Sequence, residues 1–376
     1  MTSVPAATDD RRAPGAMGQD DEEMPRLGLT GRRALLFALF VASAIALLYF
    51  VLPRLAGLKE TWHRLNQGDP WWLAIALLFE AVSFFGYVWL FRTVFVRGDT
   101  RIDWKASYEI SMAGLAATRL FAAAGAGGIA LTAWALRRSG MEARVVACRM
   151  VAFLVLLYVV YMLALIVDGL GLRIGLFPGS APFGFTVVPA IFGAVAIGVA
   201  ALVCLLPRDV ERRLEHWAHR GGRVARLMSK AVTAPASAAS GLRTAVRLIV
   251  AREAGVLGAV LWWGFDIATL WACFHAFGEA PPWAVVVMAY YVGMLANTLP
   301  LPGGIGGVDG GMIGTFIAFD VNAGLAVIAV LVYRGFAFWL PTLPGAIAYF
   351  QLRRTVSGWR SARATAQAQA QAQARA

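Results

Sequence analysis

Asn297-Thr298-Leu299-Pro300-Leu301-Pro302-Gly303-Gly304-Ile305-Gly306-Gly307-Val308-Asp309-Gly310-Gly311 interrupts a chain that is otherwise dominated by long apolar segments. Pro300 and Pro302 remove backbone donors, and the six glycines from Gly303 to Gly311 favour no regular structure. In hydrocarbon each unpaired N–H or C=O costs several kcal/mol, so irregular backbone survives at membrane depth only where protein buries it or a wet cavity lies beside it. The stretch marks a broken helix and the first place to look for a site.

The surrounding composition sets the class. Hydrophobic residues make up 59% of the 376 positions, 15% are charged, and the mean hydropathy is +0.65. Soluble domains sit near half apolar and about a quarter charged. This composition is that of a polytopic membrane protein. The 34 Lys/Arg and 22 Asp/Glu give a net charge of +12, but its distribution is more informative. Ten Lys/Arg and four acids fall in 207–253, and five Lys/Arg with no acid follow residue 350. Basic segments at membrane ends mark the cytoplasmic side, so the charge is read as topology. Nucleic-acid binding is not expected, because no folded domain interleaves basic and aromatic residues.

Cys148, Cys204 and Cys273 lie in apolar runs without CxxC spacing and read as small core residues. Of the four histidines, His216 and His219 share a helical face but lack a third ligand, so neither a metal nor a cofactor is expected. Arg32-Arg33 precede a 19-residue apolar run, 34–52. At 1.5 Å per residue it reaches about 28 Å, enough to span, and no small-residue cleavage site follows. It reads as a first transmembrane helix rather than an export signal.

Residues 1–30 are expected to be a disordered cytoplasmic tail, and 357–376, with an Ala-Gln alternation from 364, a low-complexity tail. The membrane domain then covers 31–356, in halves of about 31–168 and 184–350 with a basic cytoplasmic loop at 207–253. Its apolar segments are 34–52, 71–95, 106–123, 145–167, 184–206, 255–278, 282–300 and 323–350. Two shorter pieces, 126–136 and 308–319, follow the Gly-rich breaks and are too short to span alone. Four Lys/Arg in 92–105, and Arg137, Arg138 and Arg144, place both flanks of the 106–136 pair on the cytoplasmic side. The loops 168–183 and 279–281 hold one Lys/Arg between them, so the 282–319 pair enters and leaves on the outer side. The expected fold is all-α, with about eight transmembrane helices and two re-entrant half-helix pairs.

A repeat underlies this pattern. Gly125-Ala126-Gly127-Gly128-Ile129-Ala130 aligns with Gly304-Ile305-Gly306-Gly307-Val308-Asp309 at an offset of 179, which also sets Thr118 against Asn297. Phe79-Glu80 matches Phe265-Asp266 at an offset of 186. The halves start on opposite sides of the membrane, an arrangement of transporters whose site lies at the repeat interface near the midplane.

The run from Pro300 to Asp309, followed by Tyr333-Arg334 and Trp339-Leu340-Pro341, resembles the transmembrane, flippase-like region of lysylphosphatidylglycerol synthases over roughly 30–356. The resemblance implies a lipid-translocating membrane domain, with Asp309 where that family has an acid after the glycine loop and Arg334 in its motif. The first-half motif is degenerate here: Ala122-Ala123-Ala124-Gly125 and Ala130 replace much of the family's Pro-Gly-…-Gly-Glu pattern. The full-length synthases also carry a soluble aminoacyl-transferase domain, for which no stretch of this chain is long enough, so the chain is not expected to be an enzyme.

Each candidate residue has two readings. Glu80 and Asp266 sit in apolar helices, where an ionised acid costs roughly 2.5–3.5 kcal/mol on insertion scales. They read as a proton or headgroup site, or as structural acids locking helices together. Arg334 and Arg119 match a lipid phosphate bidentately, although Arg119 has Glu109 and Glu80 as alternative partners. Arg149, a few residues into its helix, reads as snorkelling to the interface. Asp309 reads as a helix cap or as a proton or cation site. Gly303, Gly304, Gly306 and Gly307 offer backbone N–H groups to a phosphate, with Asn297 beside them. No P-loop or Rossmann pattern is present.

The expectation is translocation of a polar-headed lipid or lipid-linked intermediate across the cytoplasmic membrane, with both termini inside. The partners would be anionic or aminoacylated lipids. The alternative is a non-transporting, lipid-binding scaffold supporting a separate synthase or glycosyltransferase.

Overall fold

The computed structural model describes residues 67–97, 101–120, 126–205, 238–298, 304 and 306–375. The expected helix 34–52, the N-terminal tail and most of the basic loop lie outside these residues. Secondary structure among the described residues is helical, with no strand.

Helix α1 (Pro70–Phe95) starts where Asp69 accepts a hydrogen bond from the Trp71 N–H at 2.8 Å and Pro70 fills the first helical position, where an N–H would have no partner. A hairpin follows, α2 (Trp104–Leu120) and α3 (Ala126–Arg138), and then the long α4 (Ala143–Arg173) and α5 (Phe183–Leu205). A helix at 238–250, α6, leads through a short 3-10 turn into α7 (Leu257–Phe277). The second hairpin comprises α8 (Trp283–Leu295) and α9 (Gly307–Ala318). Helix α10 (Ala323–Arg334), capped by Asn322 Oδ1 on the Leu325 N–H, passes through a π-helical turn (Gly335–Trp339) into α11 (Leu340–Arg375).

Five helices are long and apolar enough to cross a membrane: α1, α4, α5, α7 with its 3-10 turn, and the α10–α11 unit as far as Trp359. The expected count of about eight is therefore not met among the described residues. One of the eight, 34–52, lies outside them. Two others form α2 and α8, whose 17 and 13 residues reach only about 26 and 20 Å at the helical rise. Within the expected low-complexity tail, α11 continues as helix through the Ala-Gln run to Arg375. Alanine and glutamine are strong helix formers, and extending an existing helix needs no new nucleus.

The centre of the bundle is the antiparallel pair α1 and α7. Asp69 N–H bonds to Ala276 O, Thr269 Oγ1 to Ala76 O and Ser83 Oγ to Trp262 O, so residue numbers fall on one helix as they rise on the other. Apolar burial contributes little to helix association in lipid, and close backbone approach takes its place. A Cβ at Gly86 would lie 2.6 Å from Leu261 Cβ and 2.8 Å from Gly258 O, so glycine permits this crossing.

Candidate functional site

At the α1–α7 crossing each residue of the Phe79-Glu80 pair meets its counterpart 186 positions later. The Phe79 and Phe265 rings are 5.5 Å apart, and Glu80 and Asp266 are neighbouring buried carboxyls. Tyr290 Oη on α8 donates to Asp266 Oδ2 at 2.5 Å, with Tyr333 also in reach of Asp266 and Thr269 in reach of Glu80. Glu80, Asp266, Tyr290 and Tyr333 are all buried.

The two hairpins cross through small residues 179 positions apart. A Cβ at Gly114 would lie 2.9 Å from Thr132 Oγ1, and one at Gly311 would lie 3.1 Å from the Cα of Gly293. Gly293 follows Gly114, and Gly311 follows Thr132, by the offset read from the glycine motifs.

The described part of the break is folded by specific contacts. Gly304 and Gly306 have φ of +66° and +81°, left-handed backbone that suits glycine. Asn297, exposed in the 3-10 turn after α8, lies where a Cβ at Gly304 would collide with its side chain. Gly307 opens α9. Pro300, Pro302 and Gly303 lie outside the described residues.

Asp309 makes two polar contacts. Its Oδ2 accepts from the Gly306 N–H at 2.8 Å, capping α9, and its Oδ1 lies 2.7 Å from Arg334 Nε. The cation beside this acid is the guanidinium expected to hold phosphate, and both side chains are buried.

Arg119 and Arg334 share one aromatic neighbour. The Arg334 guanidinium lies 4.5 Å from the centre of the Phe338 ring and that of Arg119 lies 5.7 Å from it. Arg119 also sits 5.5 Å over Phe84, with Nη1 3.5 Å from Phe338 O. It makes no direct ion pair among the described residues; Glu80 and Asp266 are its neighbouring carboxyls. Phe338 belongs to the π turn, a distortion that recurs at functional sites. Pro341 and Pro344, just beyond, remove two backbone donors from the start of α11.

The structure thus gathers buried Glu80, Asp266, Arg334 and Asp309 and half-buried Arg119 into one assembly, with Asn297 and the glycines at the adjoining break. Arg149 stays outside it and donates to Phe95 O at 2.8 Å, at the end of α1. Glu109 accepts from Thr355 Oγ1 at 2.7 Å instead of pairing with Arg119. Tyr290, Thr269 and Phe338 carry polar or aromatic contacts that the sequence reading did not single out, and it did not single out the buried Asp168 either. The only signal for Asp168 was an acid in an apolar helix, the same signal that marked Glu80.

A groove of about 540 Å³ leads to this assembly. Glu80 and Phe84 line it, and its other walls include Leu77, Phe85, Trp104 and Leu343, large apolar side chains exposed on the outside of the bundle. Exposed apolar walls of this kind face lipid in a membrane.

A family model described as the transmembrane region of lysylphosphatidylglycerol synthase matches residues 35–345. Three proteins of Methanothermobacter thermautotrophicus, each named UPF0104 membrane protein, are 37%, 34% and 32% identical to the chain over 87, 90 and 99 residues. These alignments cover 23%, 24% and 26% of this chain and 25%, 27% and 29% of theirs, so the chain spans about a quarter of the length of each relative. With five helices fit to span and a family match over most of its length, this multi-pass membrane protein belongs to the lysylphosphatidylglycerol synthase transmembrane-region family.

Proposed function

We propose that the protein translocates a polar-headed lipid, a phospholipid or lipid-linked intermediate, across the cytoplasmic membrane. The observation that carries this reading is the placement of half-buried Arg119 and buried Arg334 beside Glu80 and Asp266, with Glu80 at the inner end of a groove whose outer wall is apolar and exposed. In this reading Arg119 takes the lipid phosphate first, because Arg334 already has Asp309 at 2.7 Å. The Glu80–Asp266 pair takes a proton or a cationic headgroup. The glycine break beside Asp309 lets backbone N–H groups approach the headgroup.

The architecture we infer is an inverted repeat within 31–356, with α2–α3 and α8–α9 as re-entrant pairs. The antiparallel α1–α7 crossing at equivalent residues and the matched glycine contacts of the two hairpins support it. The basic flanks of α2–α3 would face the cytoplasm, as would both termini, and α8–α9 would enter from the outer side.

One observation favours a second reading, a lipid-binding scaffold for a separate synthase or glycosyltransferase: the Arg334–Asp309 pair satisfies the cation internally, as a fixed structural pair would. Reconstitution separates the two. Liposomes carrying the protein and a dithionite-quenchable anionic or aminoacylated lipid should lose outer- and inner-leaflet signal, where empty liposomes lose only the outer half. Exchange equal to empty liposomes across those lipids rejects translocation and leaves the scaffold.

A further inference from the structure

A second cavity, of about 490 Å³, lies at the basic end of the bundle, remote from the buried assembly in sequence and in lining. It opens between the end of α1, the first turns of α4 and the helix α6. Four guanidiniums line it, those of Arg97, Arg144, Arg149 and Arg247, against a single carboxylate, Glu253. Glu253 lies 2.9 Å from Arg97, so among the described residues the lining holds four guanidiniums and one carboxylate. Thr244 Oγ1 accepts from Arg247 Nη2 at 3.0 Å and steadies that guanidinium at the wall, and Val94 and Leu248 form apolar walls. Val145, in the first turn of α4, brings the positive end of that helix to the rim.

The cavity continues toward lipid. An adjoining hollow of about 320 Å³ shares Ser240 and Arg247 with it, adds Arg243, and ends at Cys204 in the last turn of α5. The neighbouring side chains of α5, Val199, Leu202 and Leu205, are exposed and apolar. A cationic chamber joined to a lipid-facing helix surface matches a headgroup with its chains, whereas a soluble anion would use only the chamber.

We propose that this cavity binds the phosphate of an anionic phospholipid, as a site separate from the translocation path. Guanidiniums recognise phosphate through paired N–H donors, and basic pockets between helices at the membrane edge concentrate anionic lipid. The full-length protein in detergent, titrated with phosphatidylglycerol and followed by thermal unfolding or native mass spectrometry, tests this. Phosphatidylglycerol should bind and stabilise, while phosphatidylcholine and glycerol phosphate at the same concentration should not. The pair Arg144→Gln and Arg247→Gln should weaken phosphatidylglycerol binding roughly thirty-fold, since each basic residue adds to the attraction. Lysine at both positions keeps the charge and should retain most of the binding, which separates loss of the site from loss of fold. Where the glutamine pair does not fold, Arg247→Gln alone makes the same comparison. The proposal is overturned if the glutamine variant binds phosphatidylglycerol like the wild type, if phosphatidylcholine binds equally well, or if glycerol phosphate alone accounts for the binding. The readout is binding rather than exchange, so a failure of translocation leaves it intact.

Discussion

At the residue scale the most informative contact is Arg334 Nε to Asp309 Oδ1 at 2.7 Å, with both side chains buried. A buried pair adds little net stability over an apolar pair, but removing one partner strands a charge and costs about 3–5 kcal/mol. We therefore expect Arg334→Gln and Asp309→Asn each to lower the thermal stability of the detergent-purified protein strongly. The double variant should be less destabilised than the sum of the two, because the second change removes the stranded charge. Additive losses in a denaturation series would show that the two residues do not act as a pair. The sequence pointed to both residues, since an acid in a glycine break and an arginine in an apolar helix are each costly in lipid. It did not reveal that they satisfy one another, because that depends on how α9 packs against α10. Tyr290 illustrates the opposite case. A tyrosine in an apolar run is unremarkable, and only the fold sets its hydroxyl on Asp266.

At the element scale, α1 was readable from apolar length alone: the expected segment 71–95 lies within Pro70–Phe95. The depth of other segments was not readable in the same way. Segments 106–123 and 282–300 are apolar enough to suggest spans, yet α8 gives way to a 3-10 turn after 13 residues. The glycines around them serve close packing within hairpins, a pattern that hydropathy does not encode. The crossing of α1 over α7 makes a specific demand on Gly86, whose added Cβ would meet Leu261 Cβ at 2.6 Å and Gly258 O at 2.8 Å. Backbone cannot yield as a flexible side chain does, so Gly86→Ala should destabilise the protein by about 1–3 kcal/mol. Gly264, with nothing near its Cβ position, is the matched control: Gly264→Ala should leave the unfolding temperature close to that of the wild type. Equal stability of the two variants would contradict the tight crossing.

At the scale of the whole molecule, the arrangement has two distinct ends. Arg97, Arg144 and Glu253 line one cavity at the basic end, whereas Ile174 closes α4 at the opposite end of that 31-residue helix. Single cysteines at 174 and 252, in a background lacking the native three, should be labelled by an impermeant maleimide from opposite sides of the membrane. Labelling from the same side would remove the proposed topology. The central claim is that lipid crosses at the Glu80–Asp266 junction, and leaflet exchange in reconstituted liposomes tests it most directly. Carrying Glu80→Gln and Asp266→Asn together keeps the shape of both side chains while removing their ability to ionise. The wild type should exchange labelled lipid above protein-free liposomes, and the folded double variant should fall to the protein-free level. A wild type that exchanges no faster than empty liposomes, or a double variant that exchanges as fast as the wild type, would contradict the claim.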